Sequence, residues 1–379
     1  MNIFFNKPTI MGPEVKYIYN AVEKAKISGN GEYTKICQKY IQERYRVKKC
    51  LLTTSCTDAL EMAALLCNIQ SGDEVIMPSF TFVSSANAFV LRGAKIVFCD
   101  SRSDHPGMDE DLIEDLINSK TKVIVPVHYA GVACDMDKIM NLAERYNLLV
   151  VEDAAQAIDS FYKGADGIKK ALGSIGHFGC FSFHETKNVQ CGEGGMLCIN
   201  DESFFNRSEI IWEKGTNRTA FWRGDVDKYG WLDIGSSFLP SEITAAFLWA
   251  QLEAIDDIQR KRRAIWENYY EGLQSLRDKI TLPKLPDYAE NNGHLFYLIC
   301  ENKEQRKELI KYLKCQEIST VFHYQSLHSS SYYKGKHDGR SLPNSELYSG
   351  CLLRLPFYYD LSVEDQLRVM TEIKEFLNN

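Results

Sequence analysis

Lys187 lies in Phe181-Ser182-Phe183-His184-Glu185-Thr186-Lys187-Asn188, just before the glycine-rich run Gly192-Glu193-Gly194-Gly195. Upstream, the apolar run Leu148-Leu149-Val150-Val151 ends in Glu152-Asp153 and continues as Ala154-Ala155-Gln156. A neutral lysine amine attacks a carbonyl carbon and condenses with it to a Schiff base. A strand-end carboxylate can keep a ring nitrogen protonated, so that the ring draws electrons from an attached carbon. Together they are the minimum equipment for pyridoxal phosphate (PLP) chemistry, with Lys187 as the catalytic residue and Asp153 as the ring-nitrogen partner. Side chains alternate along a strand, so Glu152 and Asp153 must point to opposite faces. Asp153 is the better candidate, because Ala154-Ala155 leaves room for a flat ring and puts Gln156 within reach of its phenolic oxygen.

Ser55-Cys56-Thr57 opens a helix directly after a strand pattern. Free N–H groups there, with Ser and Thr hydroxyls, form a phosphate cup. The bland alternative is an ordinary helix cap. Phe82 can stack on a pyridine face or simply pack in a core. Ser182 can donate to a phosphate or satisfy a strand. Arg218, Trp222, Arg223, Lys228, Tyr229 and Trp231 interleave cations and aromatics, which suits a pyrophosphate and a stacked base as well as it suits a surface loop. His323, Tyr324 and His328 are a second polar-aromatic cluster with the same two readings. His128 and His184 receive no catalytic role, because the lysine can itself move the proton.

The elements that must position these residues alternate. Strands are expected at Lys49–Thr53, Glu74–Met77, Ala94–Phe98, Lys122–Val127 and Leu148–Glu152, and helices at Asp58–Leu66 and Asp137–Tyr146. That order implies an α/β fold with a mostly parallel sheet covered on both faces, and ligands at the carboxyl ends of its strands. A single long helix is expected from Ser241 to about Leu276. Then come a strand at His294–Ile299, a helix at Lys303–Lys314, a strand at Ser319–Tyr324 and a last helix at Val363–Leu377. The polar stretch Ser329–Ser345 reads as a mobile loop. The expected division is a large PLP-binding domain, 1–254, and a small C-terminal α+β domain, 255–379.

The chain has 379 residues, 45% hydrophobic, with net charge -7. A mildly acidic balance gives no reason to expect nucleic-acid binding. Twelve cysteines with no C-x-x-C pair exclude the spacing of zinc or iron–sulfur sites, and no metal is expected. No apolar run is long enough for a membrane span and no signal peptide is apparent, so a reducing cytoplasmic compartment is expected. No G-x-G-x-x-G follows a strand and no P-loop occurs.

Together these segments resemble the DegT/DnrJ/EryC1/StrS sugar-nucleotide aminotransferases. The resemblance covers essentially the whole chain, from Ser28-Gly29-Asn30-Gly31 through Ser55-Cys56-Thr57, Glu152-Asp153-Ala154-Ala155-Gln156, Phe181-Ser182-Phe183 and Lys187-Asn188 to His323-Tyr324 and Leu355-Pro356-Phe357. It implies a type I PLP-transferase fold (aspartate aminotransferase-like) and a homodimer with shared active sites. It also implies roles: Lys187 as the Schiff-base lysine, Asp153 on the pyridinium nitrogen, Gln156 near the phenolic oxygen, Phe82 over the ring, and Cys56, Thr57 and Ser182 on the phosphate. Many members carry Gly-x-Asn-x-Arg where this chain reads Gly235-Ser236-Ser237-Phe238-Leu239. Ser237 takes the place of an asparagine that reaches the partner's phosphate, and Leu239 cannot replace the arginine's charge. Gly72-Asp73-Glu74-Val75, Val125-Pro126-Val127-His128-Tyr129 and Glu213-Lys214-Gly215-Thr216-Asn217-Arg218 resemble the branch that moves an amino group, with L-glutamate as the implied donor, to C4 of a dTDP-linked 4-keto-6-deoxy sugar. Arg218, Lys228, Tyr229 and His323 are the candidates for binding that nucleotide sugar. Alternatives are another nucleotide-linked keto sugar or a PLP-binding regulator without turnover.

Overall fold

The computed structural model describes residues 2–378; Met1 and Asn379, which bound the two expected domains, lie outside the described residues. Seven strands form the main sheet, in the order β1-β9-β8-β5-β4-β2-β3. They are β1 (Lys49–Thr53), β2 (Glu74–Pro78), β3 (Lys95–Cys99), β4 (Thr121–Ile124), β5 (Leu149–Asp153), β8 (Phe178–Ser182) and β9 (Gly195–Ile199). A small hairpin, β6 (Phe161–Lys163) and β7 (Lys169–Ala171), pairs with β11 (Ala289–Glu290). The pairs β3–β2, β2–β4, β4–β5 and β5–β8 are parallel, whereas β9 runs antiparallel to both β8 and β1. The sheet is thus parallel except for one reversed strand. Its strands are nearly continuous apolar runs because helices cover both faces.

Those helices include α1 (Glu14–Glu23), α2 (Glu32–Tyr45), α3 (Cys56–Leu66), α4 (Val83–Val90), α5 (Met136–Tyr146) and α6 (Phe205–Trp212). The short α7 (Arg218–Arg223) follows on an exposed loop. The expected single helix from Ser241 to Leu276 is two helices, α8 (Glu242–Glu253) and α9 (Ile255–Gly272). Ala254 breaks them with φ −98° and ψ 6°. The break separates two kinds of surface. α8 is buried on most sides and anchors the amino-terminal segment, its Glu242 carboxylate accepting N–H bonds from Gly31, Tyr33 and Thr34. α9 is amphipathic and opens on Asp256 and Asp257, which favour a helix N-terminus.

The remaining chain builds a four-stranded antiparallel sheet from β10 (Ile280–Thr281), β12 (Tyr297–Cys300), β14 (Leu352–Arg354) and β13 (Val321–Phe322). α10 (Lys303–Cys315), α11 (Pro343–Cys351) and α12 (Val363–Asn378) pack around it. This second apolar core contains Trp266, Tyr269, Phe296 and Leu353, and also Ile3 from the chain start. The strand expected at Ser319–Tyr324 shrinks to Val321–Phe322, because His323 and Tyr324 turn away into the cavity described below. Ser329–Ser345 is not a bare loop. Tyr333 and Leu342 are buried, and the Tyr333 hydroxyl accepts from Ile96 N at 2.6 Å. Among the described residues no helix is long and apolar enough to cross a membrane.

Candidate active site

The carboxyl ends of β5, β8 and β1 floor a cavity of about 770 Å³, as expected for strands of a doubly covered sheet. β5 resolves the two acids at its end. Glu152 is fully buried on one face, where its carboxylate accepts from Gly173 N (2.7 Å), Ile175 N (2.7 Å) and Gly176 N (2.6 Å) and lies 3.0 Å from His128 Nε2. That occupies both Glu152 and His128 in structural work. Asp153 faces the cavity, with Oδ2 accepting from the Ser85 hydroxyl at 2.6 Å and Oδ1 from Ala155 N at 3.1 Å.

Lys187 sits in the turn that joins β8 to β9. Its backbone N donates to His184 O (2.9 Å), while Cys191 N to Phe183 O (2.8 Å) and Glu185 N to Gly192 O (2.9 Å) hold the hairpin shut. The half-buried Lys187 side chain enters the cavity, and its Nζ has no hydrogen-bond or ion-pair partner among the described residues. Desolvation holds the amine below the ordinary lysine range; Cys56 and Asp153 pull it back up, and Arg354 pushes it further down.

Ser55 caps α3 by accepting from Asp58 N at 3.0 Å, so the N–H groups of Cys56 and Thr57 head the helix at the cavity wall. The Cys56 thiol turns to Cys180 O (3.6 Å), so what this residue offers the cavity is its backbone. Thr57 Oγ1 donates to Ser84 (2.9 Å), and the Ser182 hydroxyl opens on the same cavity. β9 can pass beneath this cup because it begins with glycine. A Cβ at Gly195 would stand 2.3 Å from the Ser55 carbonyl carbon and 2.4 Å from Cys56 N.

Phe82 leads into α4 and is 53% exposed, leaving a ring face free toward the cavity; its centroid is 6.0 Å from that of Tyr324. Gln156 accepts from Ala130 N (2.7 Å) and donates to the Tyr324 hydroxyl (3.0 Å). His323 lies 3.0 Å from the Tyr129 hydroxyl, and burial holds its imidazole well below the ordinary range, hence neutral.

Four expected residues do not line this cavity. Arg218 is on α7, Lys228 and Tyr229 are on the exposed loop after it, and Ser237 is held by a backbone bridge to Glu213. Two residues not singled out in the sequence do line it. His294 donates from Nδ1 to Asn188 Oδ1 (2.8 Å), beside Lys187, and Arg354 reaches in from β14. Arg354 had a signal: it is a cation inside the apolar run Leu352-Leu353-Arg354-Leu355, where charged residues are rarely buried without purpose.

This residue set fits PLP. It offers an unpartnered amine for an aldehyde, a buried carboxylate for a ring nitrogen, helix-start N–H groups with hydroxyls for a phosphate, and a free aromatic face for a flat ring. No group of three or more metal-ligating side chains occurs among the described residues.

The profile of the DegT/DnrJ/EryC1/StrS aminotransferase family matches residues 9–374. An uncharacterized protein of Methanocaldococcus jannaschii is 31% identical over 357 residues, covering 92% of this chain and 89% of that one. The aminotransferase TlmJ of Streptoalloteichus hindustanus superposes with TM-score 0.91 at 28% identity, over 100% of this chain and 99% of that one. A putative sugar aminotransferase of Streptococcus pneumoniae superposes with TM-score 0.91 at 26% identity, over 100% and 98%, and is also solved in PLP and PMP forms. With this site and these likenesses, the chain belongs to the DegT/DnrJ/EryC1/StrS aminotransferase family, whose members are PLP-dependent sugar aminotransferases of the type I α/β fold.

Proposed function

We propose that the protein transfers the amino group of L-glutamate to C4 of dTDP-4-dehydro-6-deoxy-D-glucose, giving dTDP-4-amino-4,6-dideoxy-D-galactose and 2-oxoglutarate. The observation that carries this is the unpartnered Lys187 amine facing the same cavity as the Asp153 carboxylate and the α3 cup. The choice of sugar rests on the sequence stretches around Gly72, Val125 and Glu213.

Bound PLP supplies the electron sink that makes a proton on the amino-bearing carbon labile. Lys187 Nζ, whose desolvated surroundings favour the neutral amine, takes that proton from the donor's Cα and in the second half-reaction delivers one to C4 of the sugar. Asp153 holds the ring nitrogen protonated, and Ser85 fixes its carboxylate. Gln156 would lie at the phenolic oxygen, Phe82 on the ring face, and Cys56 N–H, Thr57 and Ser182 would hold the phosphate. His323 meets the sugar. The face on which Lys187 stands sets the configuration at C4.

We further propose a homodimer, in which Ser237, Arg218, Lys228 and Tyr229 complete the partner's cavity. Their exposure away from this one supports that arrangement. The chain then divides into a large cofactor-binding domain, 1–254, and a small domain, 255–379, in keeping with its two main apolar cores. Singly spaced cysteines suit a reducing, cytoplasmic compartment.

The test separates the half-reactions. L-Glutamate is expected to bleach the visible absorbance of the PLP-loaded protein, and dTDP-4-dehydro-6-deoxyglucose to restore it, with NMR showing an axial C4 amine. Recovery with a 3-dehydro, GDP- or UDP-linked sugar instead would move the substrate assignment. An equatorial amine would reverse the configuration.

A further inference from the structure

Four histidines line the cavity, and they differ in what their rings can still do. His128 is engaged at both nitrogens, by Glu152 and by Cys134 N. His184 is engaged by Thr186 and Glu193. His323 meets the Tyr129 hydroxyl, which can donate or accept, so that contact does not set its tautomer. His294 alone has a ring nitrogen that is unpartnered among the described residues and whose chemistry its neighbours dictate.

The dictation runs through buried amides. Gln259 is 1% exposed, and its Nε2 donates to Ile158 O at 3.1 Å, which leaves its Oε1 as an acceptor. Asn188 Nδ2 donates to that Oε1 and to Asn292 O, both at 2.9 Å. Asn188 Oδ1 is therefore an acceptor as well, and the His294 Nδ1 that lies 2.8 Å from it carries the hydrogen. Nε2 keeps a lone pair. The chain at the ring is pinned by Arg262, which donates from Nε to Gly293 O (2.9 Å) and from Nη2 to His294 O (2.6 Å).

This lone pair accepts hydrogen bonds without taking protons. Burial, with Lys187, Arg262, His323 and Arg354 facing the ring, holds the imidazole well below its ordinary range. Lys187 precedes Asn188 in the chain, enters the same cavity and has an unpartnered Nζ. In the proposed reaction Nζ takes a proton from the donor's Cα and becomes an ammonium with three N–H donors. Of the groups that draw on its charge, the Cys56 thiol is turned to Cys180 O and Asp153 serves the ring nitrogen. We propose that His294 Nε2 accepts a hydrogen bond from the Lys187 ammonium and so positions it between the carbon that gives the proton and the carbon that receives it. The proton stays on Nζ until delivery, and His294 stays neutral throughout. This rests on the aminotransferase reading above.

The first measurement uses nitrogen-15 NMR of histidine-labelled protein free of cofactor. His294 should show a protonated Nδ1 and a bare Nε2 at high pH. As the pH falls and Lys187 gains its proton, the Nε2 resonance should move toward the hydrogen-bonded position, and Lys187→Met should abolish the movement. The second uses PLP-loaded variants. His294→Asn keeps a donor for Asn188 and has nothing in the place of Nε2. Saturating L-glutamate should bleach it about 10- to 100-fold more slowly than wild type, with the glutamate constant within about twofold. The isotope effect on glutamate deuterated at Cα should grow. His294→Gln, which sets an amide oxygen near the place of Nε2, should recover most of the rate, and a purely structural histidine would show no such rescue. A protonated Nε2 at high pH, a resonance indifferent to Lys187, wild-type bleaching of His294→Asn, or a change confined to the glutamate constant would overturn the assignment. A resonance that follows Lys187 in a protein that glutamate fails to bleach would overturn the donor and leave the Lys187–His294 contact standing.

Discussion

Lys187 is held in a state that serves chemistry at the expense of the empty fold. Its amine is depressed below the ordinary value of 10.5, chiefly by desolvation. Between the two values the unfolded chain binds a proton that the folded chain does not, so stability rises with pH across that window and the full cost is felt below it. Lys187→Ala should therefore melt no lower than wild type when both are free of cofactor at neutral pH, as differential scanning calorimetry would read. The same substitution should lower turnover by about 10²–10⁴-fold or more. Because Arg354 helps depress the amine, Arg354→Gln should raise it, and PLP loading followed by absorbance should then need a higher pH. Asp153 was legible in the sequence because alternation forced a choice and the alanines after it decided the side. Arg354 was not, since a lone arginine in an apolar strand acquires meaning only when β14 is seen to border the cavity that the β8–β9 turn enters.

The strands and helices around the site were legible because each is bounded by a strong local signal. β1 falls on its expected residues, and α3 starts two residues before its expected Asp58, after the Ser55 cap. The missed break at Ala254 had a signal in Asp256-Asp257, which a continuous helical stripe obscured. The last turn of packing inside Ser329–Ser345 had none, because Tyr333 is held by a strand far away in sequence. Two elements carry predictions. Gly195→Ala drives a Cβ into the Ser55–Cys56 backbone and should cost about 1–3 kcal/mol in a denaturant melt, with weaker PLP binding. Glu152→Ala removes the acceptor of three backbone N–H groups at a fully buried site. It should cost on the order of 3 kcal/mol while leaving Lys187 and Asp153 in place.

At the scale of the molecule, Trp222, Tyr229, Trp231, Leu232 and Ile234 crowd one exposed region, with Trp231 85% exposed. Patches of this kind mark association surfaces. Light scattering should return about twice the 43.3 kDa of one chain, and Trp231→Asp should shift that mass toward the single chain. The reversed strand β9 has a consequence for how this protein can change. The β8–β9 turn has no free register in which to lengthen, because Ser182 and Gly195 are register partners and Gly195 also faces Thr53. A residue inserted there would swing the amine off its target by a whole Cα spacing. Diversification toward new sugars is therefore channelled into the opposite wall, where His323 and Tyr324 follow β13, a strand of a sheet that holds no part of the lysine turn.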